Sequence, residues 1–114
     1  MTRPLFHLTP PVGFLGDPNG LIHWQGSHHV FYQWNPAATA FGRMHWGHAV
    51  SSDLLRWEHR PVALVPGAFD GMDAAGCWSG GAALTASGEV ELFYTAVTDG
   101  AHEQRPRVAR PTDP

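Results

Sequence analysis

One carboxylate in this chain sits where the local backbone would hold it still: Asp17, within "GFLGDPNGLIHW" (residues 13–24), directly ahead of a short apolar run. Proline fixes φ near the value wanted at the second position of a β-turn, Asp is favoured before it, and Asn-Gly suits the two positions after it. On these four residues alone a plain turn is the simplest reading. The same placement also suits a nucleophile. Pro18 biases Asp17 towards an extended conformation, and Asn19-Gly20 turns the chain at once into a strand, so backbone rather than a long loop holds the carboxylate.

The other reactive side chains are less ordered in their spacing. Eight histidines, above all His28-His29 and His45-x-x-His48, invite a metal reading. No His-Glu-x-x-His pattern or paired-cysteine motif accompanies them, and adjacent strand residues point to opposite faces, so no metal site is expected. Cys77, the single cysteine, excludes a disulfide within the chain and reads as a small β-sheet residue. No glycine-rich phosphate loop of the Walker or Rossmann form occurs. Five Trp, six Phe and two Tyr are the unusual feature. Such rings fill β cores, and Trp also stacks on the C–H faces of sugars while polar neighbours take the hydroxyls.

The elements that must position these residues are strands. The 114 residues have the length of one small domain, and 43% hydrophobic with 15% charged residues is a globular composition. The net charge is −3 and all seven basic residues are scattered arginines, so neither a nucleic acid nor an anionic membrane is expected as a partner. No apolar run has signal-peptide or membrane-spanning length, which makes a cytoplasmic location the default expectation.

Helix-period patterns are absent, while short apolar or alternating runs recur between Gly, Pro, Asn, Asp and Ser, which predicts an all-β fold. "GLIHW" and "HHVFYQW" flank a hairpin turn at Gln25-Gly26-Ser27; "MHWGHAVS" forms a third strand and "LRWEHRP" a fourth after a turn at Ser51-Ser52-Asp53. The loop "VPGAFDGMDAAG" separates this meander from "CWSGGAALT" and "EVELFYTAV", joined across Ala86-Ser87-Gly88, and from the start of a further strand in "QRPRVAR". One four-strand unit and most of another suggest β-propeller blades, with a small self-sufficient sandwich as the alternative. Fewer than two blades cannot close a ring. The chain alone is therefore expected to be poorly folded or prone to aggregate.

"HLTPPVGFLGDPNGLIHWQGSHHVFYQWNP", followed by "MHWGHAVSSDLLRWEHRPVALVP" and "GCWSGGAAL…ELFYTA", resembles the N-terminal part of glycoside hydrolase family 32, the invertases, fructan hydrolases and sucrose-6-phosphate hydrolases. The resemblance runs from about His7 to Gln104. It implies the first blade and most of the second of a five-bladed β-propeller catalytic domain, with residues 1–114 as its N-terminal part and the remaining blades and the usual C-terminal β-sandwich absent. It further implies retaining hydrolysis of terminal β-fructofuranosides, a small sugar such as sucrose, sucrose 6-phosphate or a fructan as the partner, and no cofactor. Asp17 matches the nucleophile that attacks C2 of the fructosyl unit. Gln33 matches a residue that hydrogen-bonds near it. Phe41 stands where the family often has a Trp beside the fructosyl pocket. Trp46 belongs to a motif lining the same funnel, and Trp78-Ser79 matches the aromatic-Ser pair that contacts the sugar.

Two departures stand out. The family's usual Trp-Met-Asn before the catalytic Asp reads Phe14-Leu15-Gly16 here, which removes an Asn that commonly assists sugar binding. The Arg-Asp-Pro motif, whose Asp stabilises the transition state, and the Glu-Cys motif, whose Glu is the acid/base, do not occur. Glu58, Glu89, Glu91 and Glu103 carry no matching motif and read as solvated surface. Two functional classes therefore remain: the N-terminal segment of a fructosyl hydrolase, inactive by itself, and a sugar-binding or degenerate remnant that keeps the fold without the catalytic pair. Five-bladed relatives acting on arabinose polymers generally lack the combined "FYQWNP" and "WGHAVSSDLLRW" run.

Overall fold

A computed structural model describes residues 7–68, 71–98 and 103–110. Its strands form two antiparallel sheets. Strands β1 (Phe14–Trp24), β2 (Ser27–Asn35), β3 (His45–Ser51) and β4 (Glu58–Leu64) pair in that order, and β5 (Gly76–Leu84), β6 (Val90–Val97) and β7 (Gln104–Ala109) form the second sheet. The expected all-β meander followed by most of a second is what the chain adopts.

The turns arise from their residues. Gln25 and Gly26 both take positive φ, 51° and 80°, and Trp24 pairs with Ser27, which makes the two-residue type I′ hairpin that matches strand twist. Between β5 and β6 the Thr85 N–H donates to the Glu89 carbonyl at 2.8 Å, and Gly88 supplies the positive φ of 85° that the three-residue loop requires.

Asp-Pro-Asn-Gly, by contrast, is not a turn. Strand β1 runs through it with two register shifts: Leu15 faces Trp34 but Pro18 faces Tyr32, and Asn19 faces Phe31 but Ile22 faces His29. Each shift places one extra residue in β1, a β-bulge. Turns and bulges want the same residues, a proline without an N–H to pair and a glycine at positive φ. The long pairing with β2 settles the choice in favour of bulges. Strand β4 likewise starts at Glu58 rather than Leu55. Ser51 Oγ accepts the N–H groups of Asp53 and Leu54, and Asp53 Oδ1 accepts those of Leu55 and Arg56, so these donors cannot join the ladder.

The main core lies between the sheets. Phe31, Trp46 and Leu64 from the first meet Cys77, Val90, Leu92, Tyr94 and Ala96 from the second. The opposite face of the first sheet buries Val30, Tyr32 and Ala49 against Leu8, Leu15, Trp34 and Trp57. Strand β2 is thus covered on both sides, which is why "VFYQ" is buried without alternation. Gly47 permits this packing, because a Cβ there would lie 2.2 Å from the Tyr32 ring. The outer face of the second sheet is uncovered: the cross-strand pair Phe93 and Val108 stays 44% and 49% exposed. An open apolar sheet face of this kind is expected where blades do not close a ring.

Candidate active site

The two sheets are stitched together at one end. The Cys77 N–H donates to the Met44 carbonyl at 2.8 Å, and Trp46 Nε1 donates to the Trp78 carbonyl at 2.9 Å. Beside this seam lies a cavity of about 260 Å³ whose polar lining is Asp17, Gln33 and Ser79. Its apolar lining is Phe14, Phe41, Met44 and Trp78, with Gly16 leaving one wall bare. The volume falls slightly below the roughly 300–1,000 Å³ of drug-sized ligand pockets.

Bulges aim both ends of the site. Gly16 and Asp17 together oppose one residue of β2, and the extra residue turns the Asp17 side chain out of the ladder, where it is exposed on the cavity. On the facing sheet Trp78 pairs with Thr95 and Gly80 with Tyr94, so Ser79 is the extra residue of a second bulge. Its exposed side chain also reaches the cavity. Irregular pairing, which weakens a sheet, is here what presents a carboxylate and a hydroxyl to one space.

Gln33 is 4% exposed and its amide is locked. Nε2 donates to Asn19 Oδ1 and to the Cys77 carbonyl, both at 3.0 Å, which uses both of its protons. The amide oxygen is the atom left to accept from a ligand hydroxyl. Asn19 is itself 5% exposed and anchors its own Nδ2 on the Pro18 carbonyl at 2.9 Å. In the sequence Asn19 reads only as a turn residue; its role emerges once the bulges bring it under Gln33. Phe41 is 62% exposed and meets the Trp78 ring edge-on at 5.9 Å between centroids, forming an aromatic rim. The buried Trp78 indole N–H finds no acceptor among the described residues.

Trp46 requires a correction. It is 0% exposed, packed between Phe31 and Tyr94, and lies in the core rather than on the cavity. As an inward-facing central-strand residue opposite Gln33, it is sealed by the second sheet, and its indole N–H is spent on the Trp78 carbonyl. Trp46 therefore supports the cavity wall from within the core.

Two of the histidines pair with each other. His29 Nδ1 and His48 Nε2 lie 3.0 Å apart with stacked rings, one donating and one accepting. Burial, helped by the charges of His29 and Arg60, pushes the His48 pKa down to about 4. Burial also raises the Cys77 thiol, reinforced by the Asp73 carboxylate, so Cys77 is a buried thiol and not a nucleophile.

Comparison with known proteins adds to this geometry. The family model of the glycosyl hydrolases family 32 N-terminal domain matches residues 7–114. The chain is 51% identical over 92 residues to a raffinose invertase of Escherichia coli, covering 81% of this chain and 19% of the relative. It is 49% identical over 92 residues to a sucrose-6-phosphate hydrolase of the same organism, with the same two coverages of 81% and 19%. The solved fructan 1-exohydrolase IIa of Cichorium intybus, a variant in complex with 1-kestose, superposes with a TM-score of 0.88 at 38% identity over 96% of this chain and 20% of that one. The chain thus spans about a fifth of the length of the relatives it matches.

Proposed function

The chain belongs to glycoside hydrolase family 32, and on that premise we propose that it is the nucleophile-bearing part of a retaining β-fructofuranosidase. The single observation that carries this reading is Asp17, set in a bulge on the cavity wall beside an amide whose orientation is already determined. The fold agrees, since it matches part of the five-bladed propeller domain of the family. Relatives that hydrolyse sucrose 6-phosphate or fructans, and a neighbour solved with 1-kestose, support a terminal fructosyl unit as the ligand.

In this mechanism the Asp17 carboxylate attacks the anomeric carbon, C2 of the fructosyl unit, as the glycosidic oxygen leaves. Water then releases the covalent fructosyl-enzyme. The Gln33 oxygen accepts from a sugar hydroxyl, the Ser79 hydroxyl accepts from or donates to another, and Phe41 and Trp78 bound the ring's apolar face. Retention requires a second carboxyl about 5–5.5 Å away, acting first as acid and then as base. Among the described residues Asp17 is the only carboxylate lining the cavity. The acid/base on this reading is supplied from outside the described residues, which do not turn over sugar by themselves.

A second reading, sugar binding without turnover, draws on the same lone carboxylate. Trapping distinguishes the two. Incubating the full-length protein with a slow fructosyl substrate that accumulates the covalent intermediate, followed by peptide mass mapping, should place one fructosyl group on Asp17. A label on another residue removes Asp17 from the nucleophile role, and no label with intact sugar binding favours the second reading.

A further inference from the structure

The loop between β4 and β5 holds a carboxylate that the mechanism does not use. Asp73 is 2% exposed, and its two oxygens collect three donors among the described residues. Oδ1 accepts the Gly67 N–H at 2.7 Å, while Oδ2 accepts the Tyr94 hydroxyl at 2.7 Å and the Cys77 thiol at 3.5 Å. A buried carboxylate is costly unless it is hydrogen-bonded, and this one is ringed by donors. On the outside of the same loop Arg43 donates from Nε to the Ala74 carbonyl at 2.7 Å and from Nη2 to the Pro66 carbonyl at 2.8 Å. The loop is therefore clasped from both sides, with Asp73 as the inner clasp.

What Asp73 grips is the residue on which the cavity is built. Cys77 accepts Gln33 Nε2 on its carbonyl and donates its N–H to the carbonyl of Met44, a cavity residue. It immediately precedes Trp78 and Ser79, both of which line the cavity. We propose that Asp73 is a positioning residue for the active site. Through Tyr94 and Cys77 it fixes the β5 backbone at the seam, and thereby sets the orientation of the Gln33 amide and the placement of Ser79. Side chains of a reacting site need this kind of support, because a displacement of about 1 Å can cost on the order of a hundredfold in rate.

An amide at this position has one acceptor oxygen where the carboxylate has two, so at least one of the three donors would face an N–H₂ group. The steric cost is nil, which separates loss of positioning from loss of packing. This inference rests on the fructosidase reading for its kinetic arm only.

The test is Asp73→Asn in the full-length protein, read two ways. With glutamine selectively labelled with ¹⁵N, the Gln33 side-chain amide resonances, assigned by their loss in Gln33→Glu, should shift in Asp73→Asn. Hydrolysis of sucrose should fall at least tenfold in kcat/KM, with kcat carrying most of the loss. Tyr94→Phe, which removes one donor and keeps the ring, should shift the same resonances by a smaller amount, and it stands in should Asp73→Asn fail to fold. Unshifted Gln33 resonances in both variants, or a kcat/KM within twofold of the parent alongside a lowered melting temperature, would show Asp73 to be a loop clasp only. Should the parent protein hydrolyse no fructoside, the fructosidase reading fails, while the amide resonances still decide the positioning claim.

Discussion

Gln33 and Asn19 are locked in a buried amide–amide hydrogen bond, Nε2 to Oδ1 at 3.0 Å, across the β-bulge that carries Asp17. Asn19 lies two residues after Asp17, so the motif that presents the carboxylate also aims the amide beside it. Asn19→Ala leaves a Gln33 proton buried without an acceptor. The expected cost is about 1–3 kcal/mol of stability. Asn19→Asp keeps an acceptor and should cost less. Urea unfolding of the full-length variants measures both, and equal midpoints for Asn19→Ala and the parent would contradict the argument.

Asp17→Asn keeps the size of the side chain and removes its nucleophilicity. Turnover of sucrose should drop on the order of 10⁴-fold or more, as expected when the covalent route is lost. Sugar affinity should change little. Steady-state kinetics together with calorimetric titration of fructose separate the two quantities, and retained turnover would assign the nucleophile elsewhere.

Trp46 and Trp78 are expected to diverge. Trp46, wholly buried, should cost about 3–5 kcal/mol on truncation to Ala, because a large cavity opens in the core. Trp78 borders the cavity proposed to hold the fructosyl unit, so Trp78→Ala should raise KM for sucrose severalfold. The informative comparison is melting temperature against KM. A Trp46→Phe protein with native stability and a raised KM would return Trp46 to the cavity.

Gly20 holds φ at +57° in the second bulge, and a Cβ there would lie 2.8 Å from Phe31 Cδ2 in the core. Backbone strain and overpacking act together in Gly20→Ala, for an expected loss of about 1–3 kcal/mol. Thermal unfolding should show it directly, and a stabilised variant would mean that the bulge is not retained.

Acid should weaken the first sheet through His48. Its pKa is lowered from 6.5 to about 4 in the folded protein, so between these values the unfolded chain binds more protons. Stability contributed by the neutral ring is fully present above pH 6.5 and is lost as pH falls towards 4, with a slope of at most about 1.4 kcal/mol per pH unit. The His29 pKa is also lowered, chiefly by burial, and acts in the same direction. Denaturant melts at stepped pH should show a shallower acid slope in His48→Gln than in the parent, and an identical slope would exclude the pair as its source.

Much of this protein is legible in one dimension. Strand pairs, the hairpin around Gln25-Gly26-Ser27 and the break between the sheets come from hydrophobic runs and turn chemistry, which are local. The ordered motifs around Asp17, Gln33 and Trp78 point to the family because they specify a particular seam. What stays illegible depends on register. Asp-Pro-Asn-Gly satisfies a turn and a double bulge equally well, and only pairing along β2 chooses between them. Trp46 and Trp78 have the same side chain, yet one is sealed by the second sheet and the other borders a cavity. Asp73, in a loop of small residues, gives no signal, since its three donors come from residues 67, 77 and 94. The sequence by itself determined which segments pair and which family they build. The tertiary structure decided where each side chain points, because bulges and packing between sheets couple residues that no local pattern brings together.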